Sequence, residues 1–213
     1  MELIDKKINE ALNKELEATE GSLTRVKRAI YGDSKGRIRT FAIISPDNPM
    51  GKKATPQENN KARKEFKDTL RAGYYQYTSI KGQYNDPEQS YFIFNISFKG
   101  AEYLAKTFKQ ESFIFGQQLN NESKIFYYQT DRDSYEKEGK IDYNQSCLSK
   151  GVNLMDTAKD MFSKKNGFKY SFDFDFDNME FLPSSNQQAF EQSLDDRYSG
   201  KSQYYARIKS QRG

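Results

Sequence analysis

Two segments of the chain carry aromatic or aliphatic side chains at every second position, and this pattern is the strongest constraint on the fold. From Phe168 to Phe176 every second residue is Phe or Tyr, and the residues between them are Lys, Ser or Asp. From Ser90 to Phe98 a similar alternation places three Phe side chains and one Ile on one face. Alternate side chains of a β-strand point to opposite faces, so both segments are predicted to be strands with a buried aromatic face.

Helix and strand signals elsewhere predict an α+β fold. The clearest helix start is Thr55, which can cap the helix, because Pro56 fits the first turn and Glu58 can bond back to the cap amide. We therefore predict a mostly antiparallel sheet with helices packed on one face, an N-terminal helix and a C-terminal extension. Helices are predicted at residues 1–20, 55–73, 100–108, 152–162 and 187–194, and strands at 25–31, 37–45, 74–84, 90–98, 112–116, 124–130 and 168–176.

The composition divides the chain into two parts. Residues 1–130 contain most of the predicted elements and form the predicted main domain. Residues 131–150 are polar with few aliphatic side chains, so residues 131–213 are predicted to be a linker and a strand/helix extension with a basic tail. No apolar run reaches the roughly 20 residues that span a bilayer, and no apolar signal core follows Met1. These features predict a cytoplasmic protein with no membrane partner.

Basic residues are concentrated in two segments, although the net charge is only +4. Residues 21–75 contain thirteen basic and five acidic side chains, and residues 197–213 contain five basic and no acidic ones. Clustered Lys and Arg attract nucleic acid, phosphorylated ligands or acidic protein surfaces. Tyr side chains interleaved with these cations would suit base stacking in single-stranded nucleic acid, but such tyrosines also pack sheets.

The absence of His and the presence of one Cys exclude several kinds of chemistry. Without imidazole there is no histidine general base, and Cys147 cannot form a disulfide within the chain or a zinc site. Asp173, Asp175 and Asp177 lie on one face of a predicted strand, but Asn178 stands where a calcium loop needs a glycine. A solvent-facing edge strand is the preferred interpretation of this row. We predict no metal site and no cofactor.

Two short motifs contain candidate ligand-binding and catalytic residues. The loop from Pro46 to Lys53 lies between a predicted strand and a predicted helix, where free helix amides together with Lys52 and Lys53 could hold an anion. The loop lacks the spaced glycines of a phosphate-binding loop. The alternative interpretation is that Lys52 and Lys53 are solvated and bind no ligand. Glu88 lies just before a predicted strand and is a candidate acid or base, the alternative being an ordinary turn.

The segment 41–116 contains four short motifs in a characteristic order. They are Ala42-Ile43-Ile44-Ser45-Pro46-Asp47-Asn48-Pro49, Thr55-Pro56-Gln57-Glu58-Asn59, Gly82 with Pro87-Glu88-Gln89-Ser90-Tyr91, and Gln110-Glu111-Ser112-Phe113-Ile114-Phe115-Gly116. Their order and spacing resemble a domain-of-unknown-function family of small bacterial and phage proteins with the pattern N-P, E-N, E-P-S and Q-x-x-x-x-G. Ser45-Pro46 stands where the family has T-A, and the Glu and Pro of the third motif are transposed.

This resemblance implies a fold unit rather than a reaction, because the family has no established activity. It marks six positions as candidates for the functional site: Asn48, Glu58, Asn59, Glu88, Ser90 and Gln110.

Three functions remain open from the sequence. The favoured one is a cytoplasmic binding or accessory protein, encoded by a phage or mobile element, that recognises nucleic acid, a phosphorylated ligand or an acidic host protein through its basic face. The second is a histidine-independent enzyme acting on a nucleotide or nucleic acid. It has Glu58 or Glu88 as catalytic group and requires Asn48, Lys52 and Gln110 to converge with them in one pocket. The third is a structural virion component.

Overall fold

The computed structural model describes residues 22–33, 36–84, 86–119, 122–154, 161–166 and 168–181. Their α-helices are Ser22–Tyr31 (α1), Pro56–Ala72 (α2), Phe98–Thr107 (α3) and Arg132–Glu138 (α4). Their β-strands are Thr40–Ile44 (β1), Gln76–Tyr84 (β2), Asp86–Phe94 (β3), Ser112–Leu119 (β4), Glu122–Gln129 (β5), Gln145–Leu154 (β6), Met161–Lys165 (β7), Phe168–Phe174 (β8) and Glu180–Phe181 (β9). The helices predicted at 1–20 and 187–194 and the basic tail lie outside the described residues.

The sheet closes on itself. Its strands pair in the order β5-β4-β1-β3-β2-β7-β8-β6, and β6 pairs again with β5, which completes a barrel of eight antiparallel strands. The predicted α+β layer with helices packed on one face is therefore wrong. Periodicity identifies strands but not their partners, and the pairing of Phe126 with Leu148, where β5 meets β6, is what closes the barrel.

Aromatic and aliphatic side chains fill most of the barrel interior. Phe41, Phe92 and Phe94 are 2% exposed or less, and the rings of Phe41 and Phe92 stack with centroids 4.7 Å apart. Tyr170 on β8 packs against the same cluster. Burial of such rings is a large favourable contribution to folding, at about 25 cal/mol per Å² of apolar surface.

A second core lies between the outer face of the barrel and two helices. Phe66 and Leu70 of α2 and Leu104 of α3 pack against Tyr91 and Phe115, which point outward from β3 and β4. None of the described helices is long and apolar enough to cross a lipid bilayer. Where a helix covers a strand, the inner face of the strand packs in the barrel interior and its outer face packs against the helix, so both faces are apolar.

α1 closes one end of the barrel, although residues 25–31 are predicted from sequence as a strand. Val26, Ala29 and Ile30 are buried in the interior core, and their spacing of three and four residues is that of one helix face. Ser123 Oγ on β5 donates to Ala29 O at 2.7 Å. The strand prediction is wrong because this short run of apolar residues fits both periods, and burial of one helix face in the barrel end selects the helical one.

The predicted start and end of α2 are confirmed. Thr55 Oγ1 accepts a hydrogen bond from Glu58 N at 3.3 Å, and Glu58 Oε2 accepts one from Thr55 N at 2.8 Å, so both bonds of the capping box form. The Thr55 amide and hydroxyl lower the pKa of Glu58. Gly73 is the C-cap residue. Residues 86–88, which precede the strand predicted at 90–98, also belong to β3.

The chain after residue 130 contains more strand than predicted. Residues 131–150, predicted as a linker, contain α4 and the start of β6, and residues 152–162, predicted as a helix, lie partly in β6 and β7. β6 bonds to β5 on one side and to β8 and β9 on the other, so long-range pairing stabilises a segment with weak local preference. Strands before and after residue 130 therefore belong to one sheet.

Replacement of Gly116 by alanine is expected to destabilise the barrel. A Cβ at Gly116 would lie 2.2 Å from the ring of Phe41, which is 0% exposed and stacked on Phe92, so the ring or the strand must shift. We expect the free energy of unfolding, measured by urea denaturation, to fall by about 1–3 kcal/mol. The control is Gly151→Ala, because a Cβ at Gly151 meets nothing within 4 Å. Equal stability of the two variants would contradict the packing described for Phe41.

Candidate functional site

A cavity of about 150 Å³ lies inside the barrel at the end opposite α1. α1 is bonded near the end of β4 and the start of β5, through Gln118 and Ser123. The cavity is lined near the start of β4 and the end of β5, by Ser112 and Tyr127. One end of the barrel is thus filled by a helix, while the other retains space.

The cavity exists because inward-facing side chains become smaller and more polar toward this end of the barrel. Along β3, the inward positions Phe94 and Phe92 are followed by Ser90 and Glu88, which line the cavity. On the neighbouring strand, Gly82 lies opposite Glu88, and a Cβ at Gly82 would lie 2.8 Å from Ser90 Oγ. A serine and a glycine therefore occupy positions that larger side chains would fill.

Residues 45–54 form a loop, the 45–54 loop, that borders the cavity and has unusual backbone conformation. Asn48, Met50 and Gly51 have φ values of 51°, 53° and 67°, in a region that residues with a Cβ rarely adopt. The Met50 side chain is buried, and its amide donates to Lys109 O at 2.7 Å, so tertiary contacts maintain this conformation. Non-glycine residues in sparsely populated conformations are concentrated at functional sites.

Asn48 connects the 45–54 loop to Glu88. Asn48 Nδ2 donates to Glu88 Oε1 at 3.1 Å. Asn48 Oδ1 accepts from Ala54 N at 3.1 Å and from Asn59 Nδ2 at 3.2 Å, and Asn48 N donates to Asn59 Oδ1 at 3.0 Å. These bonds fix the orientation of the Asn48 amide, which in turn orients the Glu88 carboxylate at the cavity.

An ion pair with a buried carboxylate lies directly behind these two side chains. Arg63 Nε donates to Asp47 Oδ1 at 2.8 Å and Arg63 Nη2 donates to Asp47 Oδ2 at 2.5 Å. The Asp47 side chain is 1% exposed and that of Arg63 is 32% exposed. Gln89 N also donates to Asp47 Oδ2, at 2.9 Å. The bond to Asp47 raises the pKa of Arg63. The pair therefore ties the 45–54 loop to α2 and to β3.

Gln110 joins the loop to the segment between α3 and β4. It is buried, and its Nε2 donates to Asp47 O at 3.3 Å and to Phe108 O at 2.9 Å. Tyr143 Oη donates to Gln110 O. Burial raises the pKa of Tyr143, so its hydroxyl remains a hydrogen-bond donor at neutral pH. Gln110 thus lines the cavity and also supports the loop.

Gly51 is required at the cavity edge for two reasons. Its φ of 67° disfavours residues with a Cβ, and a Cβ there would lie 2.7 Å from Glu111 Oε2. Arg132 Nη2 donates to Met50 O at 3.3 Å, and Arg132 Nε lies 3.8 Å from Glu111 Oε1. Glu111 is therefore partly balanced by a neighbouring guanidinium group.

The opposite wall of the cavity is aromatic. Tyr127 packs against Phe174 and Phe176 with ring centroids 5.5 and 5.0 Å away, and Phe172 lies beside Phe174 at 5.7 Å. Phe176 is 39% exposed, so this wall extends to the barrel opening. The site thus combines a polar side formed by the 45–54 loop and β3 with an aromatic side formed by β5 and β8.

Tyr170 lies on the cavity lining deeper in the barrel. It is 0% exposed, and its hydroxyl oxygen has no hydrogen bond within normal distance to any described residue. Burial raises the pKa of Tyr170, and the nearby hydroxyl of Ser163 opposes this rise. A buried hydroxyl without a bonding partner costs free energy, so this position is suited to a bound group that completes its hydrogen bonding.

Comparison with known protein families identifies one part of this arrangement. Residues 44–113 match the profile of the family described as "Protein of unknown function (DUF3293)". Over this segment, about a third of the chain, the protein is similar to the DUF3293 family of unknown function. The expected resemblance to an uncharacterised domain family is thereby confirmed over these residues. Bacterial or phage origin remains a prediction. No curated protein matches the chain.

The DUF3293 segment contributes the polar side of the cavity, including four of the residues selected from the sequence. Asn48, Glu88, Ser90 and Gln110 all line the cavity, and Asn59 bonds to Asn48 from behind. The aromatic side comes from strands outside the DUF3293 segment. The chain therefore completes its cavity with residues that the family match does not cover.

Three other selected residues are placed differently. Glu58 forms the capping box of α2 and does not line the cavity. Lys52 and Lys53 are exposed and do not line it either. The convergence that the enzyme hypothesis requires is therefore met by Asn48, Glu88 and Gln110 but not by Lys52 and Glu58.

Sequence reasoning did not identify the ion pair or Tyr170. Asp47 lies within the first of the four short motifs, but a carboxylate in a loop does not indicate a partner sixteen residues later on a helix face. Arg63 was counted only as part of a basic segment. Tyr170 is a hydroxyl-bearing residue in a strand of otherwise apolar inward positions, and this exception is the signal that could have drawn attention to it.

Removal of the Arg63 charge is expected to destabilise the protein, because Asp47 would remain buried without its partner. For Arg63→Met we expect a loss of about 2–4 kcal/mol in the free energy of unfolding, less than for a fully buried pair because Arg63 is partly exposed. Arg71→Met on the same helix is the control, since Arg71 and Asp68 form an exposed pair worth less than about 1 kcal/mol. Similar urea midpoints for both variants would contradict the role assigned to Asp47.

Cys147 is expected to react slowly with thiol reagents in the folded protein. It is 5% exposed, and burial raises the pKa of its thiol to about 11. At pH 8 only about one thiol in a thousand would then be ionised, and the thiolate is the reactive form. We expect alkylation by iodoacetamide to accelerate strongly on unfolding in urea. Rapid modification of the native protein at pH 8 would contradict the described burial of Cys147.

Proposed function

We propose that this protein binds a small organic molecule at the open end of its barrel. The observation that carries the proposal is the convergence of Asn48, Glu88, Ser90 and Gln110 on one cavity that is walled by aromatic rings on its other side. An eight-stranded barrel is just wide enough to be filled by side chains or to hold one small ligand. Concave, mostly apolar sites with a few convergent polar groups are typical of small-molecule binding.

The organisation of the polar side supports binding more than simple structural stability. Asn48 Nδ2 donates to Glu88, while Asn48 Oδ1 accepts from Ala54 N and so fixes the amide within a loop of disfavoured backbone conformation. The Asp47–Arg63 pair supports that loop from behind. Preorganisation of this kind lowers the entropy cost of binding a ligand.

An enzyme that uses Glu88 as acid or base is the second candidate. Glu88 lies at a cavity and its carboxylate is oriented by Asn48, which is an arrangement that general acid–base catalysis requires. The two candidates share one site. The enzyme would be favoured if the wild-type protein converts a bound compound and the Glu88→Gln variant binds that compound with the same affinity but does not convert it.

The expected recognition of an anionic partner through a basic face stays a prediction. Two amides at the start of α2, which the sequence suggested as an anion site, are engaged by the capping box, namely those of Thr55 and Glu58. On the same helix, Lys61 lies 4.0 Å from Glu65 and Arg71 lies 3.0 Å from Asp68. The barrel cavity therefore offers the better-defined site.

The proposal predicts that compounds of fragment size bind in the cavity. We expect saturation-transfer NMR with a fragment library to detect fragments that bind the wild-type protein. When Ser90→Leu or Ser112→Leu fills the cavity, we expect the affinity of these fragments to fall by about tenfold. Two variants on different strands, β3 and β4, are used because either one alone could disturb the fold, which circular dichroism and urea unfolding would reveal.

Glu65→Gln serves as the control, because Glu65 is exposed on α2 and does not line the cavity. It should bind the same fragments with unchanged affinity. The proposal would be overturned if no fragment binds the wild-type protein, or if the fragments bind equally to folded Ser90→Leu and Ser112→Leu proteins.

A further inference from the structure

The size and walls of the cavity set the kind of group that it can enclose, and this step rests on the proposed function. At about 150 Å³, the cavity has the volume of an apolar protein cavity that holds one benzene molecule. One wall is formed by the rings of Tyr127, Phe174 and Phe176, whose centroids lie 5.0 to 5.8 Å apart. Flat rings stack on such a wall or meet it edge to face. The enclosed group is therefore a single flat ring.

Hydroxyl groups lie on another part of the lining, where β2, β7 and β8 run side by side. Gly82 on β2 is paired with Ser163 on β7, and Ser163 is paired with Tyr170 on β8. Directly paired residues of antiparallel strands point to the same face of the sheet, and all three residues line the cavity. Because Gly82 has no side chain, the position beside Ser163 is left open, and Ser90 Oγ would lie 2.8 Å from a Cβ there. This part of the lining is therefore both polar and uncrowded.

The Tyr170 hydroxyl group has no hydrogen-bond partner among the described residues, although the Tyr170 side chain is 0% exposed. The Ser163 hydroxyl is near enough to oppose the rise in the pKa of Tyr170 that burial causes, but the two hydroxyl groups do not meet the geometry of a hydrogen bond. Because its pKa is raised, Tyr170 keeps its proton at neutral pH. A buried donor without an acceptor costs free energy, which an acceptor on a ligand would recover.

The surroundings of Tyr170 favour an uncharged acceptor. Its ring lies between those of Phe168 and Phe172, with centroids 5.5 and 5.7 Å away. No Lys or Arg is among the described residues that line the cavity, so an anion beside Tyr170 would lack a counter-charge there. Burial of an unpaired ion costs far more free energy than burial of a neutral group that forms a hydrogen bond. A cationic ammonium group has no lone pair to accept the Tyr170 proton.

We propose that the cavity binds a flat ring that carries a neutral oxygen, such as a hydroxyl or carbonyl group, and that this oxygen accepts a hydrogen bond from the Tyr170 hydroxyl. The ring contacts the aromatic wall at Tyr127 and Phe174, and the oxygen lies in the open space beside Gly82. The Ser163 hydroxyl lines the same space and can form a second hydrogen bond with this oxygen. Tyr170 thus determines which rings the cavity prefers.

Phenol and toluene separate the hydrogen bond from the ring, because they differ only in a hydroxyl and a methyl group of similar size. We expect both to bind the full-length wild-type protein in NMR titrations, and benzoate, which is an anion, to bind at least tenfold more weakly than phenol. In Tyr170→Phe, the affinity for phenol relative to that for toluene should fall by about tenfold. Tyr128→Phe is the matched control, because Tyr128 packs in the core beneath the helices and is not among the described lining residues. It should leave this ratio unchanged.

Unfolding of the unliganded variants gives a second, independent measurement. Tyr170→Phe removes a buried hydroxyl group that has no partner among the described residues, so its urea midpoint is expected to equal or exceed that of the wild-type protein. Tyr143→Phe provides the contrast. Tyr143 is also 0% exposed, but its hydroxyl donates to Gln110 O, so loss of this hydroxyl should lower the midpoint.

The outcomes distinguish this inference from the proposed function beneath it. If Tyr170→Phe keeps the wild-type ratio of phenol to toluene affinity, the inference is overturned while the cavity remains a binding site. A urea midpoint lowered as far as in Tyr143→Phe would overturn it too, because the Tyr170 hydroxyl would then have a partner within the protein. Binding of benzoate as tight as that of phenol would contradict the neutral oxygen. If phenol, toluene and every library fragment fail to bind the wild-type protein, the proposed function fails and the inference fails with it.

Discussion

Hydrogen bonding between β5 and β6 is the constraint on which the rest of this structure depends. It joins the two ends of an eight-strand order and so creates an enclosed interior. Enclosure sorts the aromatic side chains into an inner core and an outer core beneath α2 and α3. It also explains α1, whose Val26, Ala29 and Ile30 fill one opening. The space left at the other opening is the candidate site.

The site is built from two layers of different origin. Its polar layer lies in the DUF3293 segment, where a loop of disfavoured backbone conformation is held in place by the buried Asp47–Arg63 pair and by Gln110. Its aromatic layer lies on β5, β8 and the residues after β8. Because the two layers come from different segments, substitutions at Phe172 or Phe174 could change which ligand binds while the Asn48–Glu88 arrangement stays the same.

Local features of this fold were predictable from sequence, whereas its closure was not. The capping box at Thr55 and the alternating strand from Phe168 are decided by near neighbours, and both are present. The segment at 145–154 was missed because its strand conformation depends on bonds to β5 and β8. The helix at Ser22–Tyr31 was misassigned because a short apolar run fits two periods, and burial in the barrel end selects the helical one.

The candidate site shows the same division. Asn48, Glu88, Ser90 and Gln110 were selectable because they belong to short motifs, and the fold brings them to one cavity. Sequence spacing could not show that Asp47 bonds to Arg63, since that contact depends on how α2 packs across β1 and β3. Lys52 and Lys53 were chosen for their charge beside a predicted helix start, and neither feature determines which way a loop residue faces.

The closed circumference also has a consequence for solubility. Strands rich in Phe and Tyr, such as Phe168–Phe174, are the kind of segment that drives aggregation when their backbone edges are open to other chains. In this barrel each of the eight ring strands has a bonded neighbour on both sides along at least part of its length. The chain can therefore carry 31 aromatic residues among 213 while offering little exposed strand edge within its described part for intermolecular pairing.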